Sequence, residues 1–511
     1  MSGFFTRKLD GQYIYCIKCN RRRRINSSHI CFYCYGMNSL ISNSGNINID
    51  NFIKRTQSPN NRTYDPHLIW VPFEEFKDVK KIGQGGFSQI FKATWKINKG
   101  ISDKGTVKRS SEREIVLKVL NNSQNVDAEF LNELKHTFQF KTKLSSTFGG
   151  YIIECYGVTQ DPQTKNYAFV LEYIPNGDLH NFIHKNFEKF TWKSKILYLN
   201  DIVLGIDEIH DKKIIHRDLH SGNILVNGNN RSEYNYNGYP VISDLGFSQP
   251  ANIDSNLSRE SQIYGIIPYM APELFKNQPY SYASDIYSLG MIMWQMTSGH
   301  RPFHDQEHGP KLILDILDGK RPKITEDTPE CWGNLMKRCW HPDPSQRPTI
   351  LEIYELSRKF DHWSNSEDRL KEGYSPDQYE MWIEFKKAEK KRLEMVKSKK
   401  SFVENPGYEH PNSRYYSTSL NSMLESINSI VSDLFSNDNL FSNDHLDIID
   451  SNSNRKNNFE NSDHNSSVEN SKKHFLDELL EENIEDQNDF KRRRIAEYFN
   501  ECFADKCAIN H

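Results

Sequence analysis

The chain has 511 residues, only 36% of them hydrophobic, and Asn and Ser are abundant, so part of its length lacks the apolar residues for a core and is expected to be disordered. A net charge of −3 excludes a global field that would draw the protein to nucleic acid or to a membrane surface. No apolar run approaches the roughly 20 residues of a membrane span, and the N-terminal stretch MSGFFTRKLDGQYIY lacks the apolar core of a secretory signal. Nine cysteines, an odd number scattered beyond one cluster, point to a reducing compartment: cytoplasmic by default, with the nucleus left open.

In chain order, four regions separate by composition. Residues 1–36 are basic and Cys-rich. Cys16-x-x-Cys19 and Cys31-x-x-Cys34 offer four thiolates on two tight knuckles, a ligand set for structural Zn²⁺. The alternative is four reduced thiols in an apolar stub, but so short a stub cannot bury enough to fold unaided. Arg21–Arg24 lie between the two pairs, either as a solvated turn or as an anion-binding or import patch. Residues 37–66 are rich in Asn, Ser and Pro and are expected to be a linker.

Residues 67–360 hold most of the periodic sequence. FKDVKKIG, FSQIFKATW and REIVLKVL predict short strands, and AEFLNELKHTFQF predicts a helix. A hairpin is predicted over YIIECYGVTQDPQTKNYAFVLEY, followed by apolar helices in KSKILYLNDIVLGIDEIH and SDIYSLGMIMWQMTSG. The expected class is α+β: a small sheet followed by a larger helical domain. Residues 361–511 are expected to form a mostly disordered tail with short helical segments. Phe475, Leu476, Leu479, Leu480 and Ile484 approach helical spacing there and suggest a partner-binding helix.

Between two predicted strands lies Gly83-Gln84-Gly85-Gly86-Phe87-Ser88, a run whose backbone can approach phosphate oxygens closely. Alone it is a weak signal, because a Gly-rich hairpin is more often just a turn. A strand and not a helix follows it, so it is not a dinucleotide fingerprint. Lys118 sits inside the apolar strand Ile115–Val119, where an ammonium needs an anionic partner unless the strand is an edge. Glu133 on the next helix is a candidate, with Glu129 one turn earlier in competition.

Two runs decide the reading. Ile215-His216-Arg217-Asp218-Leu219-His220-Ser221-Gly222-Asn223 is followed by Ser243-Asp244-Leu245-Gly246. HRD with Asn five residues after the Asp, then DLG, then Ala271-Pro272-Glu273, resemble the catalytic loop, the metal-binding motif and the APE motif of the eukaryotic protein kinases. Asp285 in DIYSLG and Arg347 in DPSQRPT extend the match, which covers a little over half of the chain.

The resemblance implies a bilobal kinase fold with a β-rich N-lobe and a helical C-lobe, and transfer of the ATP γ-phosphate to protein hydroxyls. It makes Asp218 the group that orients and deprotonates the acceptor hydroxyl, Asn223 and Asp244 the Mg²⁺ ligands, and Lys118, fixed by Glu133, the grip on the phosphates. ATP would be enclosed by Ile82, Gly83, Gly85, Gly86, Phe87, Ser88 and Ile90 above. The hinge would supply Leu171, Glu172 and Ile174, with Asp178 and Leu225 at its far end. Glu273, Asp285 and Arg347 would be structural, Glu273 pairing with Arg347. Arg217 would be regulatory, meeting a phosphorylated Ser258 or Ser261 in the segment between DLG and APE.

Four positions depart from the pattern. Ser88 stands for the third loop glycine, and Leu245 for the usual Phe. His220 and Ile266 stand where Ser/Thr kinases usually carry Lys and Thr. Signatures of Tyr kinases are absent too, and the whole is most similar to the tyrosine-kinase-like branch, which mostly phosphorylates Ser and Thr. Tyrosine or dual specificity stays open, as does a pseudokinase scaffold, although that rival expects loss of Lys118, Asp218, Asn223 or Asp244 and all four are present. A nucleic-acid-binding reading expects basic and aromatic residues to continue past residue 36, and they do not. The expected partners are therefore protein substrates, with no nucleic acid and no membrane.

Overall fold

The computed structural model describes residues 13–15, 22–24, 43–56, 68–86, 88–97, 100–101, 107–108, 111–124, 128–140, 150–228, 238–246, 248–250, 263–364 and 376–427. Two compact units emerge. The first comprises Met1–Asn252, Pro329–Cys331 and Pro348–Ser398, and the second Ile253–Thr328, Trp332–Arg347 and Lys399–His511.

The first helix of the first unit, α1 (Ile47–Thr56), lies inside the stretch expected to be a linker. Asn46 caps it, its side chain accepting the N–H of Asn48 at 2.9 Å. Ile49 and Ile53, one turn apart, are buried against Leu68, Phe130 and Leu134. The linker assignment is corrected here: the region is polar on average, yet two isoleucines on one helical face suffice to dock it.

Six strands follow: β1 (Ile69–Trp70), β2 (Phe76–Gln84), β3 (Ser88–Ile97), β4 (Ser111–Leu120), β5 (Cys155–Gln160) and β6 (Tyr167–Glu172). They form one sheet in the order β1-β5-β6-β4-β3-β2, with β1 parallel to β5 and the other pairs antiparallel. Gly157 in β5 has no alternative, since a Cβ there would stand 2.1 Å from the Ile69 carbonyl oxygen across the strand pair. The helix α2 (Ala128–Gln139) packs Phe130 and Leu134 on one face of the sheet, with the Phe130 ring stacked on Phe169 at 5.3 Å. The other face carries Trp95, Ile115, Leu117 and Val170.

The helical part of this unit is built on α3 (Leu179–Asn186) and α4 (Trp192–Asp211), with a short ribbon of β7 (Ile224–Asn227) and β8 (Tyr239–Ile242) beside α4. A further helix, α9 (Ile350–Ser364), also packs on α4. The helix α10 (Pro376–Ser398) closes the unit. Phe385 meets Trp192 edge-on at 5.9 Å, and Glu389 accepts the Trp192 N–H at 2.9 Å while pairing with buried Arg392 at 2.6 Å. The helix lies in the stretch 361–511 expected to be mostly disordered with short helical segments, and at 23 residues it is longer than the segments expected there. The segment is strongly charged, and its narrow apolar stripe of Phe385, Ala388 and Met395 is hidden in that composition.

The second unit is organised by α6 (Tyr282–Ser298), which is apolar nearly all round and buried along almost its whole length. The unit also holds α5 (Pro272–Phe275), α7 (Pro310–Leu317) and all but the first two residues of α8 (Glu330–Cys339). Two short strands, β9 (Tyr264–Gly265) and β10 (Thr418–Ser419), pair antiparallel, so part of the expected disordered tail is folded here as well. Near the N-terminus, Tyr13–Tyr15 pairs with Arg22–Arg24 as a hairpin, placing three of the four arginines in a strand. Cys16, Cys19, Cys31 and Cys34 lie outside the described residues, as do Phe87, Ser258, Ser261 and the tail beyond 427. No helix among the described residues is long and apolar enough to cross a membrane.

Candidate functional site

The site belongs to the first unit and is assembled from both its sheet and its helical part. Lys118 is held in register between Ile90 of β3 and Phe169 of β6, so its strand is central and not an edge. Its ammonium nitrogen lies 2.8 Å from Glu133 Oε1 and 2.6 Å from Asp244 Oδ1. Glu133 is thus the residue of α2 that meets the lysine. Burial opposes charge on Lys118, but Asp244 and Glu133 together overcome it and hold the pKa above the ordinary lysine value. Burial pushes the Glu133 carboxyl up, with only partial relief from Lys118. Burial would raise Asp244 as well, but Lys118 outweighs it and leaves that carboxyl below its usual range.

Asp244 reaches this position through a left-handed backbone, φ 60°, and Arg217 in the HRD run has φ 71°. Such conformations in non-glycine residues persist only where the surroundings over-determine them, and they gather at functional sites. At Gly246 the space is tight: a Cβ would stand 3.1 Å from Asp244 Oδ1 and 3.3 Å from the Glu133 carboxyl, so a larger residue would press on both acids.

The catalytic-loop residues are held by hydrogen bonds that stay close in sequence and then cross to β8. His216 is buried. Its Nδ1 accepts the Asp218 N–H at 3.3 Å, which turns Nε2–H to the Ser243 carbonyl at 3.1 Å. Ser243 in turn donates both N–H and hydroxyl to the Asn223 carbonyl, at 2.8 and 2.9 Å. Asn223 donates its side-chain N–H to the Asp218 carbonyl at 2.9 Å, leaving the amide oxygen as a hard acceptor. His220 Nδ1 accepts the Gly222 N–H at 3.1 Å, and Nε2 lies 3.7 Å from Asp218 Oδ2.

Of the residues assigned to ATP, Ile82 is an apolar side chain left 51% exposed. A Cβ at Gly83 or Gly85 would meet nothing nearer than 3.6 Å, so packing does not demand glycine at either position. Open space beside Gly backbone suits close approach of phosphate oxygens. At the hinge the Glu172 N–H is already given to the Glu154 carbonyl at 2.9 Å, so a base could use only the Glu172 carbonyl there. Ile174 is buried, with Leu171 and Leu225 packed against its cluster. Asp178 caps α3, accepting the Asn181 N–H at 2.8 Å. The hard oxygens of Asp244 and Asn223, the lysine and the open glycine strand fit a magnesium-bound nucleoside triphosphate.

Two residues escaped the sequence reading. His136, one turn beyond Glu133 on α2, places Nδ1 3.0 Å from the Ser248 hydroxyl, and Ser248 donates to the Leu245 carbonyl at 2.7 Å. Together they tie α2 to the segment after Asp244. The signal was the i+3 spacing from Glu133, which puts both side chains on one helical face. In the second unit, Arg347 makes a two-pronged pair with Glu273, both contacts 2.7 Å, and Asp285 is buried in the first turn of α6.

Compared with known families, residues 76–356 match the protein tyrosine and serine/threonine kinase domain. The chain belongs to that family. Its fold is the kinase fold, a β-sheet N-lobe with a helical C-lobe. Among curated proteins it is 29% identical over 298 residues to a mimivirus protein, from Acanthamoeba polyphaga mimivirus, named as a serine/threonine-protein kinase/receptor; the match covers 57% of this chain and 16% of that one. It is 28% identical over 295 residues to a Dictyostelium discoideum protein named as a serine/threonine-protein kinase, covering 55% of this chain and 8% of the relative. An Arabidopsis thaliana serine/threonine-protein kinase is 23% identical over 303 residues, covering 59% and 47%. The chain thus spans less than half the length of these relatives.

Proposed function

We propose that this chain is a protein kinase that transfers the γ-phosphate of Mg²⁺-bound ATP to Ser or Thr hydroxyls of proteins. The observation that carries the reading is the Lys118 ammonium set between Glu133 and Asp244, with Asp218 and Asn223 hydrogen-bonded on the adjoining loop. The names of the relatives support Ser/Thr over Tyr.

The Asn223 side chain donates to the Asp218 main-chain carbonyl at 2.9 Å and lies 3.4 Å from Asp218 Oδ2, so the loop that carries the carboxylate is set before any substrate arrives, and Asp218 would receive the acceptor hydroxyl's proton. Lys118 would hold phosphate oxygens at the position Glu133 fixes. Asp244 and Asn223 would hold Mg²⁺, which when bound neutralises the charge that develops on the phosphates. The Glu172 carbonyl and the Ile174 N–H would meet the adenine edge. The test is incubation of the full chain with Mg²⁺, labelled ATP and a mixed protein substrate, followed by phosphosite mapping. Label on Ser and Thr is expected; label on Tyr alone, or none, overturns the reading.

For the N-terminus we infer, from the spacing of Cys16, Cys19, Cys31 and Cys34 alone, one structural Zn²⁺. Elemental analysis of the reduced full-length protein should find close to one zinc per chain, falling on Cys16→Ser; a stoichiometry near zero removes the metal.

A further inference from the structure

Within the second unit, residues 399–427 make a continuous set of contacts with the loop Arg301–His308 and with the stretch before Glu273. Arg301 pairs with Glu409 and lays its guanidinium over the Tyr415 ring at 3.9 Å. The Tyr415 hydroxyl donates to the Pro302 carbonyl at 2.9 Å, and the ring meets His308 edge-on at 4.7 Å. Thr418 and Ser419 then pair antiparallel with Gly265 and Tyr264. The Leu420 N–H donates to the Ile263 carbonyl at 2.8 Å, and the Ile263 N–H donates to Asn421 Oδ1 at 2.8 Å. Leu420 and Leu424 are buried.

This is how an extended peptide is captured at a strand edge: main-chain bonds supply adhesion, and pockets for spaced side chains supply selectivity. The occupied edge, Ile263–Gly265, lies in the segment between DLG and APE. We propose that this edge is a peptide-docking site, that residues 408–427 are its occupant in cis, and that an extended substrate segment gains it only by displacing them. The proposal rests on the kinase reading for the identity of the competitor, and on the contacts above for the site itself. The ligand class that fits is an extended segment with an acidic residue, an aromatic residue about six positions later, a hydroxyl-bearing strand and then a leucine, as in Glu409, Tyr415, Thr418–Ser419 and Leu420. Tethering raises the local concentration of the tail, so a free peptide should be disadvantaged by on the order of 10²-fold.

The experiment uses the full chain and a fluorescent synthetic peptide of residues 408–427. Wild type should bind the peptide about 10²-fold more weakly than a Leu420→Asp, Asn421→Ala double variant. In the variant the KM for an acceptor peptide should fall by a similar factor, with the KM for ATP unchanged. Should the double variant fail to melt cooperatively, a full chain of native tail sequence, cut after purification at a protease site introduced over 404–407, takes its place and should capture the labelled peptide. Equal binding by tethered and released forms, or binding by neither, overturns the docking edge. Peptide binding as expected without phosphate transfer would instead remove the kinase reading and leave the docking edge standing.

Discussion

Lys118 Nζ lies 2.6 Å from Asp244 Oδ1, closer than it lies to Glu133 Oε1 at 2.8 Å. The lysine therefore joins α2 to the second residue after β8 through one buried cation, its side chain only 9% exposed. Lys118→Met removes that cation and leaves Glu133 a buried carboxyl without a counter-charge, an arrangement that costs about 3–5 kcal/mol. Urea unfolding should show a loss of that order together with lost nucleotide affinity. A change below about 1 kcal/mol, the scale of an exposed pair, would show that the three groups are not coupled.

Asp218→Asn keeps the shape of the side chain and removes the proton acceptor. Turnover should fall by on the order of 10²–10⁴-fold, while nucleotide affinity stays nearly unchanged, because the carboxylate acts on the acceptor hydroxyl and not on ATP. Steady-state rates beside equilibrium titration with a fluorescent ATP analogue separate the two quantities. Wild-type turnover in the variant would take Asp218 out of the proton-transfer role.

His220 stands where Ser/Thr kinases usually carry lysine, and its nearer contact is the Gly222 N–H at 3.1 Å, not Asp218 at 3.7 Å. The ring is thus first a cap of the catalytic loop. His220→Ala should lower kcat about tenfold, the equivalent of roughly 1.4 kcal/mol in the barrier. His220→Asn, which can still accept from Gly222, should recover most of it. An asparagine variant as slow as the alanine one would place the role of His220 in its contact with Asp218.

Arg347 is fully buried and makes two 2.7 Å contacts with Glu273, with its guanidinium also 5.2 Å from the Tyr287 ring. Substituting Arg347→Met breaks a buried pair from one side, which typically costs about 3–5 kcal/mol. A double-mutant cycle with Glu273→Gln, followed by denaturant unfolding, should show a coupling well above that of a surface pair. Additive losses would mean the pair is structurally incidental.

His308 accepts the Arg414 N–H at Nδ1 and donates from Nε2 to the Phe303 carbonyl, each at 3.0 Å. Burial, with the Arg301 charge, holds its pKa below the usual histidine value against the opposing pull of the Arg414 and Phe303 carbonyls and of Glu409. His304 is shifted in the same direction, chiefly by burial. A depressed folded pKa means that the neutral ring's stabilisation is complete above the unfolded value of about 6.5 and is lost as pH falls through the folded one. The melting temperature of the wild type should therefore drop between about pH 7 and pH 5, and His308→Gln should flatten part of the drop. Parallel curves for the two proteins would remove His308 as a source of acid sensitivity.

The chemistry was written in the chain before any fold was known, because catalysis needs residue types at fixed spacing along short loops. HRD with its asparagine, DLG and the lysine strand are local patterns of that kind, and so is the alternation that marks the strands. What spans distance was legible only in part. Glu133 could be named for Lys118, but with Glu129 in competition, because the choice depends on α2 docking through Phe130 and Leu134; that Lys118 also reaches Asp244 depends on a left-handed turn whose φ no composition reports. The helix over 47–56 and the ordered stretch of 376–427 were hidden for a related reason. Their average composition is polar, and a few apolar residues on one face, such as Ile49 with Ile53 or Phe385 with Met395, gain stability only once a partner surface exists to bury them. Propensity and spacing are properties of neighbours in sequence. Burial is a property of neighbours in space, and it is burial that holds the helices over 47–56 and 376–398 in place.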